Sequence, residues 1–346
     1  MKYKYDPQDI LHYFQTLVNV PSPVGYSVQM NPLIRQLAEA LGHTVWFDNR
    51  NTAYITLEGV DNSKTVLIGA HLDTIGMVVR CIDGDGMIRV RQLAGMNYNN
   101  VEGETVTIYT RDGRSYTGLL TCQSHSVHVF DDARTLERSE KTMMVILDEP
   151  ICSRADVMAL GIRHGDVISV DPRCQITPNG YLKSRFIDDK AAVACCLTAL
   201  KYMQAQGLKP RYRTLFAFPY LEEIGLGGTY VPPEVSEYVA IDIGLIGPGY
   251  DGTEHKVTIC AKDASIPYDY ELTNHLIALA EKNNIDHAVD IFYRYGTDAN
   301  AAVKAGNNLR AAAFGMAVYC SHGMERTHIH GLTATTDLLL AYLLQE

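Results

Sequence analysis

Apolar positions recur at helical spacing from the start of the chain: Ile10, Leu11, Phe14, Leu17 and Val18 follow Asp6-Pro7, which reads as an N-cap with proline at the first helical position. A second helix is expected from about Met30 to Leu41. Strand-like runs follow at Thr44 to Phe47, Ala53 to Leu57 and Thr65 to Ala70, the last ending directly at His71. Between about Ile75 and Asp166 the texture changes to short alternating strands separated by the turn dipeptides Asp83-Gly84, Asp85-Gly86 and Asp112-Gly113. That segment reads as a separate all-β module.

From Ile187 onward strand and helix alternate again. Helices are expected from about Asp188 to Gln206, from Tyr270 to Lys282, from near Asp298, and from Thr335 to Leu344. Strands are expected at Thr214 to Phe218, Val239 to Ile243, Val289 to Tyr293 and Leu309 to Phe314. This order predicts an α/β fold whose mixed sheet is sandwiched by helices, built from residues 1–74 and 167–346 and interrupted by a β-rich insertion at 75–166. At 346 residues the chain is long enough for such an arrangement.

Composition narrows the class. Apolar residues make up 47% of the chain, enough for a packed core, and the formal net charge of -10 argues against nucleic acid or an anionic membrane surface as partner. The longest apolar stretch, near Ala191 to Leu200, is too short to span a bilayer. Met1 to Pro7 places charges and a proline where a secretory signal would have its apolar core, so a soluble cytoplasmic protein is expected. The eight cysteines form no C-x-x-C pair and are expected to be buried thiols rather than disulfides.

Chemistry concentrates in a few separated pieces. His71 and Asp73 lie two apart at a strand end and leave the same face, so Asp73 is placed to take the second N–H of a metal-binding imidazole. Asp188-Asp189 precedes an apolar helix, where a carboxylate either caps the helix or bridges two cations. Glu222-Glu223 is either a solvated turn or a division of labour, one acid holding metal and the other accepting a proton. Asp242 interrupts the apolar run Tyr238 to Ile243, a costly burial unless the charge is paired or ligates a metal. His322 completes the set, with His328 and His330 as rivals for its place. Nearly every candidate falls at or just beyond the carboxyl end of an expected strand, where open α/β sheets carry their sites.

Five segments, Ala70 to Gly76, Phe186 to Lys190, Glu222 to Gly225, Ala240 to Asp242 and Gly296 to Ala299, resemble the M42 metallo-aminopeptidases, the tetrahedral and glutamyl aminopeptidase family. The resemblance covers essentially the whole chain. It implies a zinc-peptidase-like catalytic domain with an inserted all-β dimerisation domain, dimers assembling to a dodecamer, and peptides as substrates. It also implies two divalent ions, zinc, cobalt or manganese, one held by His71 and Asp242 and the other by Glu223 and His322, with Asp188 bridging. Glu222 is then the general base for attack by a metal-activated water, and Asp73 orients His71.

The sequence departs from the family's pattern at Thr74, at Ala192, at Lys262-Asp263-Ala264-Ser265 in place of a glycine-rich stretch, and at Ser321 to His328. These departures bear on substrate preference and leave every implied ligand in place. Rival readings are a deacetylase or dipeptidase on the same metal scaffold, a metal-independent glycosidase using two carboxylates, and an assembly protein without activity.

Overall fold

The computed structural model describes residues 3–345, so Met1 and Lys2 of the N-terminal sequence reading lie outside the described residues. The chain divides into two compact units, residues 1–74 with 173–346, and Ile75–Pro172.

The first unit is built on a nine-stranded mixed sheet. Its strands run in the order Val45–Phe47, Ala53–Leu57, Tyr212–Phe218, Asp61–Gly69, Val235–Ile241, Arg310–Val318, Val257–Lys262 and His287–Ile291, with Gly244–Leu245 pairing onto Arg310–Val318. The four strands at its centre, Tyr212–Phe218 through Arg310–Val318, are mutually parallel. Their carboxyl ends therefore point the same way, which gathers the loops that follow them.

Side-chain alternation explains why these strands read as unbroken apolar runs. Leu67, Leu215, Tyr238, Ala240, Ala311 and Ala313 face a core shared with Ala299 and Ala302 of helix Asp298–Lys304. Their neighbours Ile68, Phe216, Val239 and Ala312 are fully buried on the opposite face. Helices Pro7–Val18, Ile187–Gln206, Tyr270–Lys282 and Ile329–Leu344 pack on one another as a group. Helix Pro7–Val18 starts as expected, with the Asp6 carboxylate accepting the Gln8 N–H.

Five strands of this unit escaped the sequence reading, the two-residue Gly244–Leu245 and Gln175–Ile176 among them. Val257–Lys262 fills the sheet between Arg310–Val318 and His287–Ile291. Tyr181–Ser184 and Glu325–His328 pair antiparallel in a small three-stranded sheet with Gln175–Ile176. The closing helix begins at Ile329 rather than Thr335, because His328 Nδ1 caps it by accepting the His330 N–H.

The second unit is a closed barrel of Gly76–Ile82, Ile88–Leu93, Met143–Leu147, Ser115–Cys122, Thr105–Tyr109 and Val167–Val170, with every described pairing antiparallel. Met77, Val79, Ile88, Val90, Val106 and Ile108 alternate inward to fill it. The unit runs past residue 166 to Pro172, since Val167–Val170 bonds to both Gly76–Ile82 and Thr105–Tyr109 and closes the ring. All eight cysteines are free; Cys122, Cys195, Cys196 and Cys260 are buried, whereas Cys152 and Cys320 are exposed, contrary to the expectation of burial. Among the described residues no helix is long and apolar enough to cross a membrane.

Candidate metal centre

His71 stands two residues beyond strand Asp61–Gly69, and Asp242 one residue beyond Val235–Ile241. Asp242 can leave the sheet there because Gly315 on the neighbouring strand has no side chain. A Cβ on Gly315 would lie 1.8 Å from the Asp242 carbonyl oxygen. Glu222 and Glu223 sit in a short 3-10 turn after Tyr212–Phe218, and His322 lies at φ +61° in the turn between Arg310–Val318 and Glu325–His328. Asp188 and Asp189 precede the regular part of their helix with non-helical backbone, joined by a cis peptide bond.

These segments converge. Asp188 turns Oδ1 to His71 Nε2 at 3.1 Å and Oδ2 to His322 Nε2 at 3.7 Å. Glu223 Oε2 is 3.1 Å from His322 Nε2, and Glu222 Oε2 is 3.6 Å from His71 Nε2. Ligand atoms of His71, Asp188 and Glu223 lie within 4.8 Å of one another, as do those of His71, Asp189 and Asp242. A cavity of about 720 Å³ opens over Asp188, Glu222, Glu223, Asp242 and His322.

Asp73 has a different main task from the one read in the sequence. Its two carboxylate oxygens accept the N–H groups of Glu222 and Glu223, each at 3.1 Å, which fixes the acidic turn. His71 Nδ1 is 3.0 Å from the Asp73 main-chain oxygen and 3.6 Å from its carboxylate, so the carbonyl is the closer orienting group.

Burial crowds these acids. It pushes Asp73 up to about 7 and Asp242 up to about 8, and lifts Glu222 and Asp189 well above the carboxylate range. Asp188 moves the other way: burial is the largest influence and opposes its ionisation, but the hydrogen bond from His71, the nearby His71 and His322 and a hydrogen bond from Ser321 together outweigh it and lower it. For His71, burial disfavours the cation, while Asp188, Glu222, Asp189 and Asp73 together raise it well above an ordinary imidazole.

The donor set suits divalent cations. Imidazole and carboxylate are the ligands such ions take, the buried acids outnumber the two histidines, and Asp189 Oδ1 is buried with no hydrogen-bond partner among the described residues.

Three residues were missed in the sequence. Asp189 was read only as the companion of Asp188, although it joins the group with His71 and Asp242. Glu325 is 2% exposed and accepts the Asp188 N–H at 3.0 Å and the His322 N–H at 3.1 Å. Asp298 accepts the Gly228 N–H at 2.6 Å below the acidic turn, and burial raises it to about 6. The Gly227-Gly228 pair was the available signal for Asp298, since a Cβ at either position would collide with it.

His328 and His330 do not compete with His322. They cluster with His255, and both ring nitrogens of His328 are committed, Nδ1 to the His330 N–H and Nε2 to the Asn179 carbonyl oxygen.

Residues 51–338 match the sequence profile of the M42 glutamyl aminopeptidases. The chain is 40% identical over 334 residues to the YhfE protein of Bacillus subtilis (strain 168), covering 96% of each chain. Its fold resembles that of aminopeptidase APDkam598 from the archaeon Desulfurococcus kamchatkensis, with a TM-score of 0.88 at 21% identity over 98% of this chain and 96% of the other. It also resembles the Pyrococcus horikoshii TET1 peptidase, with a TM-score of 0.85 at 20% identity over 97% of this chain and all of the other. A profile match over so much of the sequence, together with converging histidines and acids, settles its kinship: the chain belongs to the M42 glutamyl aminopeptidase family.

Proposed function

We propose that this chain is a metal-dependent aminopeptidase that removes N-terminal residues from peptides, with Glu222 as its general base. The observation that carries the reading is Asp188, which turns one carboxylate oxygen to His71 and the other to His322. In this reading His71 and Asp242 hold one divalent ion, zinc, cobalt or manganese, and Glu223 and His322 hold a second, with Asp188 between them. Such a pair, when bound, supplies Lewis acidity to a water and to the scissile carbonyl.

The chain's own groups do the remaining work. Glu222 is 14% exposed, at the edge of the cavity, and burial holds its carboxyl at a high proton affinity suited to taking a proton and returning it to the leaving amine. Asp73 keeps Glu222 and Glu223 in register through their backbone N–H groups. The acidic cavity wall attracts the substrate's free α-ammonium group, which favours cleavage at the N-terminus.

The Pyrococcus horikoshii TET1 peptidase is described as assembling into a tetrahedron or a large octahedral shell. By analogy we assign the barrel, residues 75–172, to self-association and this chain to a homo-oligomer. Aminoacyl 4-nitroanilides offered to metal-loaded protein test the activity: release of 4-nitroaniline that a chelator abolishes supports it. Chelator-resistant hydrolysis, or none on any aminoacyl substrate, sinks it.

A further inference from the structure

Three histidines outside the candidate metal centre meet at the start of the closing helix. His255 and His330 are exposed, His328 is buried, and their ligand nitrogens lie within 4.8 Å of one another. Ring centroids stand 4.3 Å apart for His255 and His328, 4.5 Å for His328 and His330, and 5.6 Å for His255 and His330. We propose that these residues form a separate site for a zinc-like divalent ion, with imidazole as its only protein ligand. The proposal goes beyond the aminopeptidase reading and does not rest on it.

Anchored segments bring the three together. His328 ends strand Glu325–His328, which pairs with Tyr181–Ser184, and His330 is in the first turn of helix Ile329–Leu344. His255 comes from the loop before Val257–Lys262. Glu254 ties that loop to the strand by accepting hydrogen bonds from Arg326 at 2.6 and 2.9 Å. The same pair balances the charge of Arg326, which lies 4.6 Å over the Tyr181 ring that also packs on His328. Gly331 lets the loop approach the helix, since a Cβ there would lie 2.5 Å from the Glu254 carbonyl oxygen. His255 is thus held by its neighbour rather than left on a free loop.

Hydrogen bonding already sets His328 for a metal. The Asn179 carbonyl oxygen, 2.8 Å from Nε2, can only accept, and the His330 N–H, 3.1 Å from Nδ1, can only donate. The ring therefore carries its proton on Nε2 and its lone pair on Nδ1. An imidazole whose other N–H is bound to a main-chain carbonyl is the form in which proteins present histidine to metals. The lone pair meets one N–H of the helix's first turn, at an exposed residue where water can take over, so an ion can displace that bond. His255 and His330 need no such exchange, because neither ring makes a hydrogen bond to another described residue. Capping the helix requires His328 alone and does not account for two further exposed imidazoles packed beside it.

Imidazole without carboxylate suits zinc, nickel or copper(II) better than magnesium, calcium or manganese. Rotation of the two exposed rings closes nitrogens within 4.8 Å to the roughly 3.3 Å that tetrahedral Zn–N bonds of about 2.0–2.1 Å require, with water in the fourth place. The ion would tie the loop at His255 to the strand's end and the helix's start. Glu325 stands three residues back, about 10 Å along the strand and on its other face, where it holds the Asp188 and His322 N–H groups. The site therefore clamps the strand that supports the candidate centre without sharing a ligand with it.

Zinc titrated into metal-free protein, with bound metal counted per chain, tests the site. The double variant His255→Ala, His330→Ala is expected to bind one zinc fewer than wild type, and His12→Ala, which removes an exposed histidine elsewhere, is expected to bind as many. Equal zinc content in wild type and the double variant overturns the proposal. Peptide mapping after diethyl pyrocarbonate treatment needs no substitution: zinc is expected to shield His255 and His330 of the wild-type protein, and magnesium is expected to leave both reactive. Reactivity unchanged by zinc overturns the site, as does shielding confined to millimolar zinc, which indicates an adventitious ion only. Neither readout involves turnover, so failure here is distinct from failure of the aminopeptidase reading.

Discussion

The carboxylate of Glu325 accepts the backbone N–H of Asp188 at 3.0 Å, joining two segments 137 residues apart in sequence. Its other oxygen takes the His322 N–H at 3.1 Å, so one buried side chain fixes the spacing of Asp188 and His322 without touching the ion they are proposed to share. Glu325→Gln keeps the shape but turns an NH2 group toward one of two backbone donors. Metal affinity should fall about 10- to 100-fold, the usual loss when a ligand's support is removed. Competition against a chromophoric chelator measures it, and unchanged affinity would show that Glu325 does not set the site.

Glu222 and Glu223 are neighbours with separate expected roles. Glu223 pairs with His322, whereas Glu222 lies nearer His71 at the cavity edge. Glu222→Gln should retain both ions by elemental analysis and lose about 10²- to 10⁴-fold in kcat. Glu223→Gln should lose metal as well as turnover. Wild-type turnover in Glu222→Gln would remove this residue as the proton acceptor.

Much of this candidate site was legible because its residues follow strands whose apolar runs are easy to read. His71 and Asp242 each close such a run, and the parallel order of the central strands gathers their ends. Glu325 was illegible for the opposite reason. In Gly323-Met324-Glu325-Arg326 it looks like part of a polar turn, and only pairing of Glu325–His328 with Tyr181–Ser184 places it beside Asp188. Strand Val257–Lys262 was missed because an isolated short apolar run carries no signal of the neighbours that bury it. The barrel's last strand fell across the boundary read at 166 because hydrogen bonding to strands far earlier in the chain, rather than local pattern, assigns Val167–Val170 to it.

The crowded acids make metal-free protein pH-sensitive. Asp298, Asp73 and Asp242 are raised from 3.8 to about 6, 7 and 8, so the folded state binds more protons than the unfolded one between about pH 4 and pH 8. Their stabilisation is complete below pH 4 and is lost as pH rises through the folded values. Buried Lys190, lowered from 10.5 to about 7, has the reverse slope, but only above about pH 7. The melting temperature of chelator-treated protein should therefore fall by several degrees between pH 5 and pH 7. Divalent metal should flatten the slope, because bound cations keep the carboxylates ionised. A flat profile without metal would contradict the account.

Gly315 offers a test of the sheet's part in the site. Strand Val235–Ile241 pairs with Arg310–Val318 up to Ile241 and Phe314, the chain leaves the ladder at Asp242, and pairing resumes at Gly244 and Ala317. The Asp242 carbonyl folds into the space above Gly315, where a Cβ would sit 1.8 Å from its oxygen and 2.7 Å from its carbon. Both atoms are backbone, so no rotamer change relieves the clash and Asp242 must shift. Gly315→Ala should lower the melting temperature by several degrees and cut turnover about 100-fold, the scale set by a 1 Å misplacement in an active site. Gly84→Ala is the control, since a Cβ there meets nothing within 4 Å. If Gly315→Ala matched wild type in stability, metal content and rate, close packing of the strands would not be what positions Asp242.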